Sequence, residues 1–488
     1  MPAPTLPKPK LATVPQTRYT TLIFDIGDVL VNWTPVKDDM LPPKELRRML
    51  VSPTWAKFEC GRISEEECYR CIASKLGVDV HKLASTLDAS RKTLQFNSEL
   101  FNFIDDVKAR YGLSVYAMSN ISAPDFAYIR SQEAPWGVFD DIYTSCQMQE
   151  RKPDMPFYQK VLAHGNIDPT RTVFVDDKLD NVISARALGM KGIVFQSTEQ
   201  VLRSLTNSLC GSVERARHYL QSHAGQLDSK TNTGIQLMEN FAQFLIFDVT
   251  GGRSLIKYAD SDGLFNFFQE KSQLTTEAYP CDLDTTALAW TTVKNGTDAQ
   301  LHHVMDQMLR YLTPDGIVQD YFDNERPRLD PVVCVNVLSF FDAHGRIDEL
   351  TPTLEWVGAI LENRGYEDGT RYYTSGEPFL YFFARLLSRT GDASLRNRFE
   401  DTLAERLTER IGSPGDSLAL AMRIIACSLL GLKNKVDMNR LLERQEMDGS
   451  WSDGWFYHYG MTGVQIGNSG LTTAFAVKAI ELVASPEK

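Results

Sequence analysis

Two acids one residue apart, Asp282 and Asp284, open the stretch CDLDTTALAW (281–290), and Thr285 and Thr286 follow them into what reads as a buried helix. One role for such residues is structural, because Asp and Thr side chains satisfy the free amides of a first helical turn and suit its positive dipole end. The other is Brønsted acid catalysis. Protonating an alkene carbon takes an acid that stays protonated at neutral pH and points into an apolar cavity from which water is excluded. A carboxylic acid meets that need when burial and a neighbouring carboxylate raise its pKa. A helix N-terminus favours the ionised form instead, and a division of labour resolves the conflict. Asp282 stays ionised at the cap, Asp284 stays protonated deeper in, and the hydroxyls of Thr285 and Thr286 fix the carboxyl geometry.

A second set of polar residues lies in the first half of the chain. FDIGDVL places Asp25 at the end of an apolar run; Ser119 and Asn120 follow VYAM, Lys152 lies in ERKPDMPFY, and Asp176 and Asp177 follow TVFV. A carboxylate at the C-terminal edge of a parallel strand sits where such sheets bind ligands, and there it attacks phosphorus or holds a metal.

The elements that must position these residues follow two grammars. Up to about residue 208, the strand candidates YTTLIFDIGDVLV, LSVYAMSN, VFDDIYTS, TVFVDDK and KGIVFQS alternate with amphipathic helices. That alternation predicts an α/β domain with a parallel sheet over 18–208. The segment from about 38 to 98 reads as helical throughout, an inserted cap. From 212 to 484, nine successive helical segments are separated by turns containing Gly, Pro or Asp, which predicts an all-α domain, a barrel or solenoid.

Composition narrows the function classes. The 488 residues carry 43% hydrophobic and 23% charged residues and no apolar run long enough to span a bilayer, so no integral membrane association is expected. A net charge of −12 without a basic patch predicts no nucleic-acid partner. Eight scattered cysteines fit reduced thiols and a cytoplasmic location better than a disulfide framework, and the one CxxC pair, Cys68 and Cys71, lies in a helical pattern with no second pair. The proline-rich residues 1–17 read as a disordered arm and not a signal peptide. Nothing in the sequence sets an oligomeric state.

The motifs resemble two known families. Asp25, Ser119, Lys152 and Asp176-Asp177 come in the order of the four motifs of the haloacid dehalogenase (HAD) superfamily, in the branch with an inserted helical cap. The resemblance implies that Asp25 is nucleophile and Mg²⁺ ligand, that Ser119, Asn120 and Lys152 contact the phosphoryl group, and that Asp176 and Asp177 hold the metal with the Gly27 carbonyl. Phosphoryl transfer is mostly positioning and charge neutralisation, which a cation and a lysine supply. Active phosphatases of this type carry a general acid two residues after the nucleophile; Gly27 stands there, with Asp28 one step further on. The stretch DDKLD (176–180) also matches the DDxxD pattern of class I terpene synthases. It follows a strand, however, and the second metal motif of that class fails at Met148, where Asp140, Asp141 and Thr144 would require a Glu.

DLDTT resembles the DxDD or DxDTT signature of class II terpene cyclases, which implies that Asp284 is the proton donor. QEMDGSW, Gln445 to Trp451, resembles their QxxxGxW motif, in which Gln caps a helix and Trp stacks on the motif. Phe265, Phe267, Phe268, Trp290, Trp455, Tyr457 and Tyr459 are candidates to stabilise carbocations by cation–π contact, with Trp290 also a substrate contact; core packing is the alternative for each. The fusion as a whole resembles the HAD-type class II sesquiterpene cyclases. That implies cyclisation of farnesyl diphosphate to a drimane-type bicyclic diphosphate, with Mg²⁺-dependent dephosphorylation to an alcohol of the drimenol or albicanol type. A cyclase that stops at the diphosphate, its HAD domain a phosphate-binding relic, is the first alternative. A HAD phosphatase with a helical interaction domain is the second.

Overall fold

The computed structural model describes residues 17–33, 43–459 and 462–484. Residues 1–16 of the expected arm and 38–42 of the expected cap lie outside the described residues. The chain divides into two compact units, residues 1–211 and 212–488. Among the described residues no helix is long and apolar enough to cross a membrane, and all eight cysteines are free.

The first unit contains strands β1 (Thr21–Phe24), β2 (Val31–Asn32), β3 (Gln95–Phe96), β4 (Ser114–Ser119), β5 (Asp141–Thr144), β6 (Thr172–Asp176) and β7 (Lys191–Val194). Five of them form a parallel sheet in the order β5-β4-β1-β6-β7. Side chains alternate between two cores: Leu22, Phe24, Val115, Val173 and Val175 face one, and Ile23, Met118 and Phe174 the other. Both faces are covered, which is why these strands read as unbroken apolar runs. The chain builds outward from β1 first to one side and then to the other, so the crevice at the C-terminal ends of β1, β4 and β6 is the topological switch point where such sheets bind ligands.

The cap comprises α1 (Pro43–Leu50), α2 (Pro53–Glu59), α3 (Glu65–Leu76) and α4 (Val80–Arg91), with a small core of its own that includes Met49, Trp55, Phe58, Tyr69 and Leu83. Cys68 is buried in that core while Cys71 is exposed, so the two thiols serve no common site. The expected unbroken helix over 38–98 is corrected at its end, where β3 pairs antiparallel with β2 and ties off the stem of the insertion. Helices α5 (Ser98–Tyr111), α6 (Ala123–Ser131), α7 (Ser145–Met148), α8 (Met155–His164), α9 (Leu179–Ala187) and α10 (Thr198–Leu209) complete the unit.

The second unit runs α11 (Ser212–Ser222), β8 (Ser229–Thr231), β9 (Gln236–Leu237), α12 (Asn240–Thr250), α13 (Leu283–Thr292), α14 (Asp298–Met308), α15 (Pro331–Ala343), α16 (Thr351–Asn363), α17 (Glu377–Arg389), α18 (Ala393–Arg410), α19 (Ser417–Leu429), α20 (Lys435–Glu443), β10 (Gly454–His458), β11 (Gln465–Asn468) and α21 (Ser469–Ala484). Helices α12, α13, α15, α17, α19 and α21 each pack on the next, and α21 returns to α12, closing a ring. Helices α11, α16, α18 and α20 pack outside it. The sequence separates the two layers. Every residue of α13 from Leu283 to Trp290 is buried, as an inner helix requires, whereas α18 buries Leu395, Phe399, Leu403 and Leu407 at four-residue spacing and leaves its other faces polar.

The expected all-α second domain needs one correction, a four-stranded sheet in the order β10-β11-β8-β9. Its strands are only two to five residues long and sit between helices, so they carry little signal of their own. The QEMDGSW turn leads into this sheet. Gln445 donates to the Ser212 carbonyl at 2.9 Å and to the Gly449 carbonyl at 2.9 Å, tying the turn to the start of α11. Trp451 is fully buried, and its indole N–H donates at 2.7 Å to the Leu441 carbonyl in the last turn of α20, one of the carbonyls a helix end leaves free. Truncation removes both the packed ring and that cap. Trp451→Ala is expected to destabilise the helical unit by about 3–5 kcal/mol, read as a lower denaturation midpoint with an unchanged denaturant slope.

Candidate functional site

Asp284 lies in the first turn of α13 and is 7% exposed, at a pocket lined by Phe241, Phe267, Tyr279, Asp282, Asp320, Tyr321, Tyr372, Tyr373, Tyr457 and Tyr459, among others. Asp282 is the N-cap: one carboxylate oxygen accepts from the Thr285 amide at 2.6 Å, and the other is buried without a partner. Asp284 accepts from the Tyr373 hydroxyl on one oxygen and from the Asn336 amide on the other, at 2.8 Å. Burial pushes the Asp284 carboxyl up to about 8; the Asp282 charge adds to the rise, and the bonds from Tyr373 and Asn336 oppose it. Burial raises Asp282 to about 7 against the pull of its capping bonds. Both carboxyls are thus lifted far above the usual range, the capping residue included, where an ionised Asp282 was expected.

The expected ligands of this pocket divide. Thr285, Phe267, Tyr457 and Tyr459 line it. The Thr286 hydroxyl does not reach a carboxyl: it donates to the Asp282 backbone carbonyl at 2.7 Å and accepts from the Phe265 amide at 2.9 Å, which pins the loop before α13. Trp290 stands two turns along α13, outside the pocket, where its N–H donates to the Gly263 carbonyl at 2.8 Å. Phe265 packs on Phe244, and Phe268 on Phe267 and Tyr279 behind the wall. The Trp455 backbone is held by Asp416 and Thr374. Tyr373 and Asp320 of the pocket lining, and Asn336 that bonds Asp284, carried no motif. The lone Asn in the apolar run PVVCVNVLSFF of α15 was the available signal for Asn336, since a polar group in a buried helix needs a partner.

At the sheet edge of the first unit, Asp25 directly follows β1, Ser119 ends β4 and Asp176 ends β6. Lys152 is 1% exposed; its ammonium lies 2.8 Å from Asp25 and 2.6 Å from Asp176, and donates to the Met118 carbonyl at 2.7 Å. The Asn120 side chain is committed to the Lys152 backbone, donating to its carbonyl and accepting from its amide, both at 2.8 Å. Asn120 thus positions the lysine. Burial lifts the Asp25 carboxyl to about 6 against the pull of Lys152. Asp25, Asp176 and Asp177 can each offer an oxygen with all three within 4.8 Å of one another, and one Asp177 oxygen is buried without a hydrogen-bond partner. A divalent cation fits that donor set. Asp25 and Lys152, with Gly27, Asp28, Ser119 and Asn120, line a cavity of about 750 Å³. Its upper walls mix apolar Trp33, Leu50, Trp55 and Leu87 with the cations Arg91 and Arg151.

Comparison with known proteins finds relatives of both units. The profile of the sesquiterpene cyclase astC-like C-terminal domain matches residues 213–344, and that of haloacid dehalogenase-like hydrolases matches residues 133–195. The chain is 41% identical over 461 residues to drimenol cyclase drtB of Aspergillus calidoustus, covering 94% of this chain and 87% of that one. It is 37% identical over 177 residues to the sesquiterpene phosphatase astK of Aspergillus oryzae, covering 36% of this chain and 90% of that one. Among solved structures, the type II terpene cyclase MstE from Scytonema is 12% identical, with 55% of this chain and 96% of that one covered and a TM-score of 0.41. The chain belongs to the drimenol cyclase family, and it joins a haloacid dehalogenase-like unit to a sesquiterpene cyclase unit of the astC-like type in one polypeptide.

Proposed function

We propose that the helical unit cyclises farnesyl diphosphate to a drimane-type bicyclic diphosphate, and that the HAD-like unit then hydrolyses it to an alcohol of the drimenol or albicanol type. The observation that carries this reading is Asp284, an acid kept neutral by burial and aimed into an aromatic pocket. Asp284 donates its proton to the distal double bond, two ring closures give a decalin cation, and loss of a proton leaves an alkene. The ring faces of Phe241, Phe267 and Tyr457 at the pocket wall stabilise the cations. The pocket's volume of about 80 Å³ holds only part of a fifteen-carbon chain, so entry of substrate displaces some of the side chains around it.

In the HAD-like unit, Asp25 attacks phosphorus, Lys152 offsets the phosphoryl charge, and Ser119 contacts a phosphoryl oxygen. Asp25, Asp176 and Asp177, with the Gly27 carbonyl, would hold Mg²⁺, which when bound neutralises charge on the transferred group. Gly27 cannot protonate a leaving group. A phosphate leaving group tolerates that better than an alkoxide does, which favours a second reading in which release of the last phosphate is slow or absent.

The test incubates the protein with farnesyl diphosphate and Mg²⁺ beside Asp284→Asn and Asp25→Asn, with mass spectrometry before and after an added phosphatase. Wild type is expected to yield a bicyclic alcohol directly, Asp25→Asn or added chelator only its phosphorylated form, and Asp284→Asn none. A bicyclic product seen only after the added phosphatase supports the second reading, and none in any sample refutes both.

Gly27 has open space where a Cβ would point, with no atom within 4 Å. Gly27→Asp therefore fits and is expected to raise monophosphate hydrolysis at least roughly tenfold, since a positioned acid contributes about 10²–10⁴-fold. The pH dependence has a definite sign. Asp284 acts in its protonated form, so cyclisation is full below about pH 8 and falls as pH rises through that value. Tyr373→Phe removes a bond that favours the ionised form, so this limb should move to higher pH while the maximal rate drops.

A further inference from the structure

A class II cyclase must recharge its acid after every turnover, and Asp284 is enclosed by Tyr373, Asn336 and the aromatic wall. Asp320 lines the same pocket. It is 2% exposed, and neither of its carboxylate oxygens has a hydrogen-bond partner of normal geometry; the Asp330 amide approaches it from one side. Buried carboxylates are ordinarily well bonded, so one left this way needs an explanation.

Its placement is built into the fold. Tyr321 pairs with Asp282 in an antiparallel bridge, and the Leu283 amide donates to the Asp320 carbonyl at 2.9 Å, so Asp320 lies across from the middle of the DLD motif itself. The Asp320 amide in turn donates to the Arg328 carbonyl at 2.9 Å, which fixes the segment on its far side. Burial and the charges of Asp330 and Asp284 hold the Asp320 carboxyl well above the usual range, with Arg371 opposing. Asp320 is thus a second buried carboxyl at the pocket of the first. Asp282 is less suited to hand over a proton, because one of its oxygens is fixed at the N-cap of α13. Asp320 caps no helix and has only the Asp330 amide at one side.

We propose that Asp320 is the proton store that recharges Asp284. This rests on the reading of Asp284 as the proton donor. When Asp284 has given its proton to the alkene, an O–H bond of the Asp320 carboxyl breaks and one forms on Asp284. Asp320 then takes a proton from solvent as product leaves the pocket. The proton lost by the final carbocation returns to solvent, so the cyclisation consumes no net proton.

Two rates separate this role from a structural one. With enzyme in excess over farnesyl diphosphate, a rapid-quench experiment reads the first turnover, which uses the proton already on Asp284; with substrate in excess, kcat also contains the recharge. Asp320→Asn is expected to keep the first-turnover rate within about twofold and to lower kcat at least about tenfold, with Asp320→Glu recovering part of the loss. Circular dichroism and a melting curve check the fold, and Asp320→Ser replaces Asp320→Asn should that variant fail to fold. Equal losses in both rates, or a kcat within about twofold of wild type, overturn the proposal. The wild-type first turnover and its loss in Asp284→Asn test the underlying reading separately: if wild type forms no bicyclic product, that reading fails, and the rates of the Asp320 variants are not at issue.

Discussion

The pocket of the helical unit is organised around one tension, two carboxyl groups buried at the start of a helix. Burial alone makes an ionised carboxylate costly and so raises its pKa, but the start of a helix works the other way. The structure meets both demands with two residues. Asp282 takes the capping bond to the Thr285 amide, and Asp284, two positions on, is left to Tyr373 and Asn336. Those two donors orient the carboxyl at the cost of some of its rise, and the charge of Asp282 restores part of it. The closed ring of inner helices supplies the dry surroundings without which none of these terms would be large.

The HAD-like unit shows the opposite electrostatic design. Three carboxylates crowd one sheet edge, and the cation of Lys152 sits between two of them, held by the Met118 carbonyl and by the Asn120 clip on its backbone. Such a cluster is poised for a bound cation and for the charge of a phosphoryl group, not for a neutral acid. The two carboxylate-rich sites thus suit different chemistry, because one is buried among aromatic rings while the other has a lysine between its carboxylates.

Much of this was legible in the sequence where chemistry and local structure coincide. Ser119 and Asp176 end strands and Asp25 follows one, all with unmistakable apolar runs, and DLDTT combines a capping pattern with a second buried carboxyl. What could not be read was contact across long stretches of chain. Tyr373 meets Asp284 from 89 residues away, and Asn336 from 52, and only the closure of the ring brings them together. The bridge between Asp282 and Tyr321 that aligns Asp320 is a two-residue pairing with no periodicity to detect. The same limit misplaced Trp290. Its position on α13 was evident, but helical phase and distance along the axis carry its ring away from the pocket.

The protonation state of Asp284 in the resting protein tests the account most directly. The infrared difference spectrum between wild type and Asp284→Asn, followed through neutral and alkaline pH, isolates the C=O stretch of a protonated carboxyl at this position. The account predicts a protonated-acid band at pH 7 that fades as pH rises through about 8. A spectrum at pH 7 that contains only the ionised carboxylate would contradict it.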